Sequence, residues 1–368
     1  MDTALLLSVL LAVLLAYVQP LLYIVFSLIL LWNPRILHTR KRLRFFARNI
    51  AHRGGAGEKI ENTMEAFNHA VEVGADMLEL DCHMTKDGKV VVSHDGNLLR
   101  QTGNDVMISS LNIQDLPLYK ERLEVTFNTG HYSTGQDRKF VLLEDVFQKF
   151  PTMPINIEVK DDNDILIEKV ASLVRSYRRD AITVWATDSD HLMSKCREQN
   201  PDMPFIFTLR RGILVLILFY TGLLPFVPLG EDLLQCYLPQ VINRKYIPEP
   251  SDPLILRCRP LLWLVEKLAM RKALFEHLVK RGIEVHLFVC NEESDIKAAF
   301  TLGATAVMTD YPSLLSDWLR RHPQPPHTHP HEPPRHPHTP PSIVGASGMT
   351  VHCRADPSNA GLPFALIG

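Results

Sequence analysis

Along the middle of this chain, apolar positions recur with the periods of short strands and amphipathic helices, and that alternation fails at both ends. From residue 4 to 32 the sequence is almost unbroken Leu, Val, Ala, Ile and Phe, with Ser8, Gln19, Pro20 and Ser27 as mild exceptions. About 20 apolar residues suffice for a helix to cross a bilayer, so this run is expected to be a transmembrane anchor. A cleaved signal peptide is the rival reading, but it calls for a basic start and an apolar stretch of only about 7 to 15 residues. Here Asp2 leads and the stretch is longer. Arg35, Arg40, Lys41, Arg42, Arg44 and Arg48 follow at once, a cluster that the positive-inside rule places on the cytoplasmic side.

Between residues 49 and 319, β-prone runs alternate with helical patterns at 49–52, 77–81, 155–160, 183–185, 205–207, 237–242, 285–289 and 306–309. Eight strands alternating with helices predict an α/β fold, a TIM (β/α)8 barrel. Asn62-Thr63-Met64-Glu65 reads as a capping box ahead of Ala66, Phe67 and Val71. Residues 143–150 read as a helix, and 295–302 as another that ends on Gly303. The run 90–94 follows 77–85 across only Lys86-Asp87-Gly88-Lys89, too short for a parallel crossover. It must return as a hairpin turning on Asp87-Gly88, which brings His94 beside Glu79 and Asp81. Residues 97–138 keep neither period and are expected to be an insertion after the second strand.

A second apolar run, 212–229, is broken by Pro225 and Pro228. Candidate catalytic residues lie on both sides of it in sequence, so a crossing would divide one barrel between two sides of the membrane. It is expected to be a membrane-associated loop-helix dipping into one leaflet, with a buried core helix as the alternative. Residues 320–368 become Pro/His-rich and cannot build a core, which predicts a disordered tail.

At 368 residues the chain has room for one large domain with appendages. A formal charge of −2 without a long basic stripe argues against nucleic acid as a partner. The six cysteines are scattered without paired short spacings, which fits reduced thiols in a cytosol-facing protein rather than a disulfide framework or a zinc site.

In such barrels catalytic groups stand at the C-terminal ends of strands, while positions within the strands are apolar. His52 and Arg53 close the first strand, Glu79 and Asp81 the second, His94 the return strand, and Glu158 and Lys160 the next. Asn291 and Asp310 follow the last two. Glu79 and Asp81, two apart, point to the same side. Gathered with Glu158 they would repel one another without a cation, and a hard divalent ion, Mg²⁺ or Ca²⁺, suits an all-oxygen set. His52 and His94 are then the proton-transfer pair. Arg53 offers a bidentate fork to a phosphate and Lys160 a point charge. Singly each has a blander explanation: a His beside a Gly is more often a satisfied loop residue, and Glu158 with Lys160 can be a structural ion pair. Glu61 is expected to serve the helix entry, and His69 and His83 to be surface or supporting residues.

His52-Arg53-Gly54, Glu61-Asn62-Thr63, Glu79-Leu80-Asp81, Thr85-Lys86-Asp87-Gly88, Val92-Ser93-His94-Asp95, Ile157-Glu158-Val159-Lys160 and Met308-Thr309-Asp310-Tyr311-Pro312 together resemble the glycerophosphodiester phosphodiesterase family, in order, from about residue 49 to 319. The resemblance implies a TIM barrel with an inserted segment after the second strand. It also implies His52 and His94 as acid and base, Glu79, Asp81 and Glu158 as metal ligands, and Arg53 and Lys160 as phosphate contacts. Phe288 stands where the family often has Trp, so Phe288, Asn291 and Asp310 are candidate pocket residues. The anchor and the apolar insert are similar to a mammalian subgroup that acts as lysophospholipase D on lysophosphatidylcholine and N-acyl lysophosphatidylethanolamine. This implies a lysophospholipid substrate reached from the endoplasmic reticulum or perinuclear membrane, with the barrel facing the cytosol. The alternatives are a diesterase for water-soluble glycerophosphocholine and a barrel that binds lipid without catalysis. The latter would require lost catalytic groups, and here they are present.

Overall fold

The structure, a computed structural model, describes residues 3–245 and 259–323. Most of the expected tail lies outside the described residues, although the helix Pro312–Arg321 carries regular structure two residues past its predicted start. The strands in chain order are β1 (Asn49–Ala51), β2 (Met77–Met84), β3 (Val90–Val92), β4 (Arg122–Glu124), β5 (Tyr132–Thr134), β6 (Val141–Leu142), β7 (Ile155–Val159), β8 (Thr183–Ala186), β9 (Leu233–Tyr237), β10 (Glu284–Phe288) and β11 (Ala306–Thr309). β8, β7, β2, β1, β11, β10 and β9 pair in that order, each with its neighbour in parallel. Two isolated parallel bridges, Trp185 with Phe205 and Ile206 with Leu233, link β8 to β9. The path of parallel pairs thereby returns to its start.

Two sequence expectations shift here. The strand at 205–207 survives only as those bridges, because Pro204 has no N–H to give and Thr208 already caps the next helix. The strand expected over 237–242 lies earlier, at Leu233–Tyr237. Pro239 opens the helix Pro239–Lys245 instead, at the position where its fixed φ suits a first turn.

Strand side chains such as Ile50, Leu78, Leu80, Ile157 and Leu287 are fully buried, each contributing roughly 1.5–3 kcal/mol relative to exposure. The strands are not apolar throughout. Asn156 Nδ2 donates to Gln235 Oε1 at 3.2 Å, and Gln235 Nε2 lies 3.4 Å from His286 Nδ1. β7 and β9 are not ladder neighbours, so this polar layer reaches across the space the strands enclose. Helix starts are capped by Thr63, Asn163, Ser189 and Thr208, whose side chains accept from backbone N–H groups, at about 1 kcal/mol each. The capping box is displaced by one residue: Thr63, not Asn62, caps Met64–Glu72.

β3 returns antiparallel on β2, with Met84 opposite Val90 and Cys82 opposite Val92, through a turn in which Gly88 adopts φ +74°. Residues 97–138 are ordered despite their lack of period. They hold a short helical turn, Leu99–Thr102, and the hairpin β4–β5, pinned by small apolar clusters around Leu98 with Ile108 and Tyr119 with Leu123.

Leu5–Trp32 forms one helical rod of 28 residues whose most apolar window has none of its residues buried. Its C-terminal end nevertheless packs on the body, burying Ser27 and Leu30. The apolar run 212–229 becomes the helix Leu209–Tyr220 and a tight turn at Leu224–Phe226. It is not a core helix, since only Val215 within Leu209–Tyr220 is buried.

Candidate active site

After β1 the chain reverses in a single tight turn, His52–Gly54. Arg53 holds φ +49°, a left-handed conformation that costs a side-chain-bearing residue roughly 1–2 kcal/mol. Its backbone N–H donates to Glu79 Oε2 at 2.7 Å, which offsets part of that strain. Gly54 must be glycine, because φ is +77° and a Cβ there would lie 2.7 Å from the Phe67 ring. The turn thus fixes His52 and Arg53 against Glu79 of β2.

Two histidines are held in the same way. His52 Nδ1 lies 2.7 Å from Asp310 Oδ1, and His94 Nδ1 lies 2.6 Å from Asp95 Oδ1. In each, Nε2 is left as the nitrogen for proton exchange. Asp310 is itself fixed: Asn291 Nδ2 donates to its Oδ2 at 2.7 Å, and its backbone N–H donates to Asn291 Oδ1 at 2.9 Å. Burial opposes a charged His52, yet the Asp310 carboxylate outweighs it and raises the imidazole pKa. Burial and the Arg53 guanidinium instead lower His94 to about 4. His83 supports His94 from beneath, with Nδ1 2.6 Å from Asp161 Oδ2 and Nε2 3.2 Å from the His94 carbonyl oxygen. His69 pairs with Glu58 at the periphery.

Glu79, Asp81 and Glu158 offer carboxylate oxygens that all lie within 4.8 Å of one another. Burial and the neighbouring Asp81 charge push Glu79 up to about 7, and burial also raises Glu158. Burial works against Asp81 too, but Lys160, His94 and Arg53 together hold it below the carboxylate range. Lys160 Nζ stands 2.7 Å from Glu158 and 3.2 Å from Asp81. Three oxygen donors whose negative charge the protein only partly balances fit a hard divalent cation.

The expectation for Glu61 is overturned. Its carboxylate is buried and accepts from Arg53 Nη1 at 3.1 Å, from Gln101 Nε2 at 2.9 Å and from Arg100. Arg100 Nε in turn donates to Asp95 Oδ2 at 2.7 Å. A continuous run of charged contacts, His94–Asp95–Arg100–Glu61–Arg53, therefore ties both ends of the site together. Arg100 comes from the segment without period, where nothing in the sequence marked it. Its best signal is its place five residues after Asp95.

Phe288 is reached through an aromatic series that sequence reasoning also missed. Phe127 meets the His52 ring edge-on at 5.9 Å, Tyr237 meets Phe127 at 5.6 Å, and Phe288 meets Tyr237 at 4.1 Å. Every residue expected at the site is thus brought to one end of the parallel strands.

Residues 52–314 match the Glycerophosphoryl diester phosphodiesterase family. Human Lysophospholipase D GDPD1 is 50% identical over 297 residues, covering 81% of this chain and 94% of that protein. Human Lysophospholipase D GDPD3 is 48% identical over 314 residues, covering 84% and 98%. Among solved structures, a glycerophosphoryl diester phosphodiesterase domain from Mycobacterium tuberculosis superposes with a TM-score of 0.55 at 16% identity, covering 75% of this chain and all of that one. The Thermotoga maritima glycerophosphodiester phosphodiesterase gives 0.50 at 21% identity, covering 73% and 97%.

Proposed function

The chain belongs to the glycerophosphoryl diester phosphodiesterase family and is a phosphoric diester hydrolase; from this premise we propose that it is a lysophospholipase D. It hydrolyses lysophosphatidylcholine and N-acyl lysophosphatidylethanolamine to lysophosphatidic acid plus choline or N-acylethanolamine. The observation that carries the substrate is the match, at about half identity and nearly full length, to two proteins named lysophospholipase D. The ring of parallel pairs is read as a (β/α)8 barrel, with residues 97–138 inserted after its second strand. Its site end gathers the catalytic groups, as such barrels do. The N-terminal helix is read as a membrane anchor on the endoplasmic reticulum or perinuclear membrane, with the barrel facing the cytosol.

Glu79, Asp81 and Glu158 would hold Mg²⁺ or Ca²⁺, which when bound supplies charge neutralisation at a phosphate oxygen. Arg53, fixed by its backbone bond to Glu79 and its side-chain bond to Glu61, orients the phosphodiester. Lys160 adds positive charge on the opposite side of Asp81. Of His52 and His94, one takes the proton of the attacking hydroxyl and the other gives a proton to the departing choline or ethanolamine oxygen. Asp310 and Asp95 hold each ring on Nδ1, so both exchanges run through Nε2. The aromatic series beside His52 offers a face for a quaternary ammonium. The attacking group is water or the free glycerol hydroxyl of the lysolipid, which would first give a cyclic phosphate.

Choline release from lysophosphatidylcholine by the full-length protein should exceed that from glycerophosphocholine and stop on chelation of divalent ions. The opposite substrate ranking would assign the site to the soluble diester. Product analysis in isotopically labelled water settles the nucleophile, because the absence of an early cyclic product excludes the internal hydroxyl.

A further inference from the structure

The helix expected to cross the bilayer is longer than a crossing needs. Its 28 residues rise about 42 Å, against about 30 Å of hydrocarbon. The surplus is the part that touches the body. Tyr23 Oη donates to the Thr221 carbonyl at 2.5 Å and Ser27 Oγ to the Gly222 carbonyl at 2.7 Å. Farther on, His277 Nδ1 lies 2.8 Å from the Leu31 carbonyl, and Lys280 Nζ donates to the Trp32 carbonyl at 3.0 Å. Counting about 20 residues of span from Leu5 puts Tyr23 where hydrocarbon gives way to headgroups, the level at which aromatic side chains collect.

At that level the body is apolar and uncovered. Phe226, stacked on the Tyr23 ring at 6.4 Å, and its neighbours Tyr220 and Leu223 are each more than 40% exposed. From Tyr220 an exposed stripe continues back along its helix through Ile217, Ile213 and Leu209, spaced three or four residues apart. Tyr220 Oη also donates to the Leu268 carbonyl at 2.8 Å, which joins the helix Arg259–Ala269 to the same face. Trp263 on that helix is 57% exposed, and Lys267 reaches back over its ring at 6.0 Å, as a cation does at a membrane surface. Arg210 stands fully out beside the stripe. A contiguous apolar face with a cationic edge marks an interaction surface.

We propose that the helices Leu209–Tyr220 and Arg259–Ala269 lie in the interface of the bilayer that the N-terminal helix crosses. The body then rests along one leaflet instead of hanging from a tether. This rests on reading the N-terminal helix as a membrane span. Its hydrogen bonds to Thr221 and Gly222 already set the apolar face at membrane level, which favours lipid over a second copy of the chain as occupant.

The chain has four tryptophans, and Trp185 and Trp318 are buried. In the full-length Trp32→Phe protein, Trp263 therefore carries the environment-sensitive emission. In phosphatidylcholine vesicles that emission should be blue-shifted, lose most of its intensity to brominated acyl chains, and ignore aqueous iodide. The difference between wild type and Trp263→Phe gives the same readout should Trp32→Phe fold poorly. Quenching by iodide alone overturns the proposal. Shielding from both quenchers, together with cross-linking between copies, overturns it in favour of a self-associating face. Choline release on the same vesicles separates the two readings. Trp263 in water with turnover intact removes the platform alone, and Trp263 in lipid without turnover removes the substrate assignment alone.

Discussion

Asp310 is the residue whose removal should say most about the site. With Asn in its place, the amide meets either His52 Nδ1–H or the Asn291 amide donor to donor, whichever way it turns. Asp310→Asn is expected to lower kcat by about two to four orders of magnitude while KM and the melting curve stay close to wild type, measured by steady-state choline release. Glu61→Gln should act on stability as well. It leaves the buried Arg53 guanidinium without its nearest carboxylate, a loss of the kind that costs about 3–5 kcal/mol, to be read from a denaturant midpoint. The carboxylates and histidines were legible because each sits in a short motif in or just after a strand. The partnership of His52 with Asp310 spans 258 positions, and only the closing of the sheet brings the two together. Arg100 was invisible for a different reason, because its segment carries no periodicity to say which way a side chain faces.

Among the elements, strands with a clear apolar run were found to within three residues at either end, β7 after Pro154 included, whereas two others beside proline were trimmed or shifted. Pro204 trims one strand to two bridges and Pro239 converts the expected end of another into a helix start. In both places backbone chemistry overrode side-chain pattern. The turn at Gly222 is the joint between the N-terminal helix, the proposed anchor, and the body. Its φ is +76°, and a Cβ there would stand 2.7 Å from Ser27 Oγ and 3.1 Å from Tyr23 Oη. Gly222→Val is therefore expected to lift the anchor off the body without unfolding it. Limited proteolysis should show faster cleavage between residues 33 and 48, with an unchanged core fragment.

At the scale of the whole molecule, two buried histidines make stability depend on pH. Burial lowers His286 to about 3 and His277 to about 4, from an ordinary 6.5. Between those values the unfolded chain binds protons that the folded one refuses, so stability is complete above about 6.5 and falls as pH drops below it. For His286 the loss by pH 4 is on the order of 3 kcal/mol. His286→Gln should flatten that limb in a series of thermal melts. His277 Nδ1–H also donates to the Leu31 carbonyl, a bond that the protonated ring keeps, so the acid limb reflects the buried ring and not the loss of that contact.

The rod that carries this enzyme is clamped along its last ten residues, and a clamped rod cannot freely lean. Ordinary single-span helices relieve hydrophobic mismatch by tilting. Here, tilt in a thin bilayer would have to drag the whole catalytic body with it or break the contacts at Tyr23 and Ser27. On the proposed reading of the rod as a membrane span, bilayer thickness becomes a mechanical input. Turnover should pass through an optimum as the host lipids are lengthened, at fixed substrate, and the optimum should broaden in Gly222→Val, where the clamp is released.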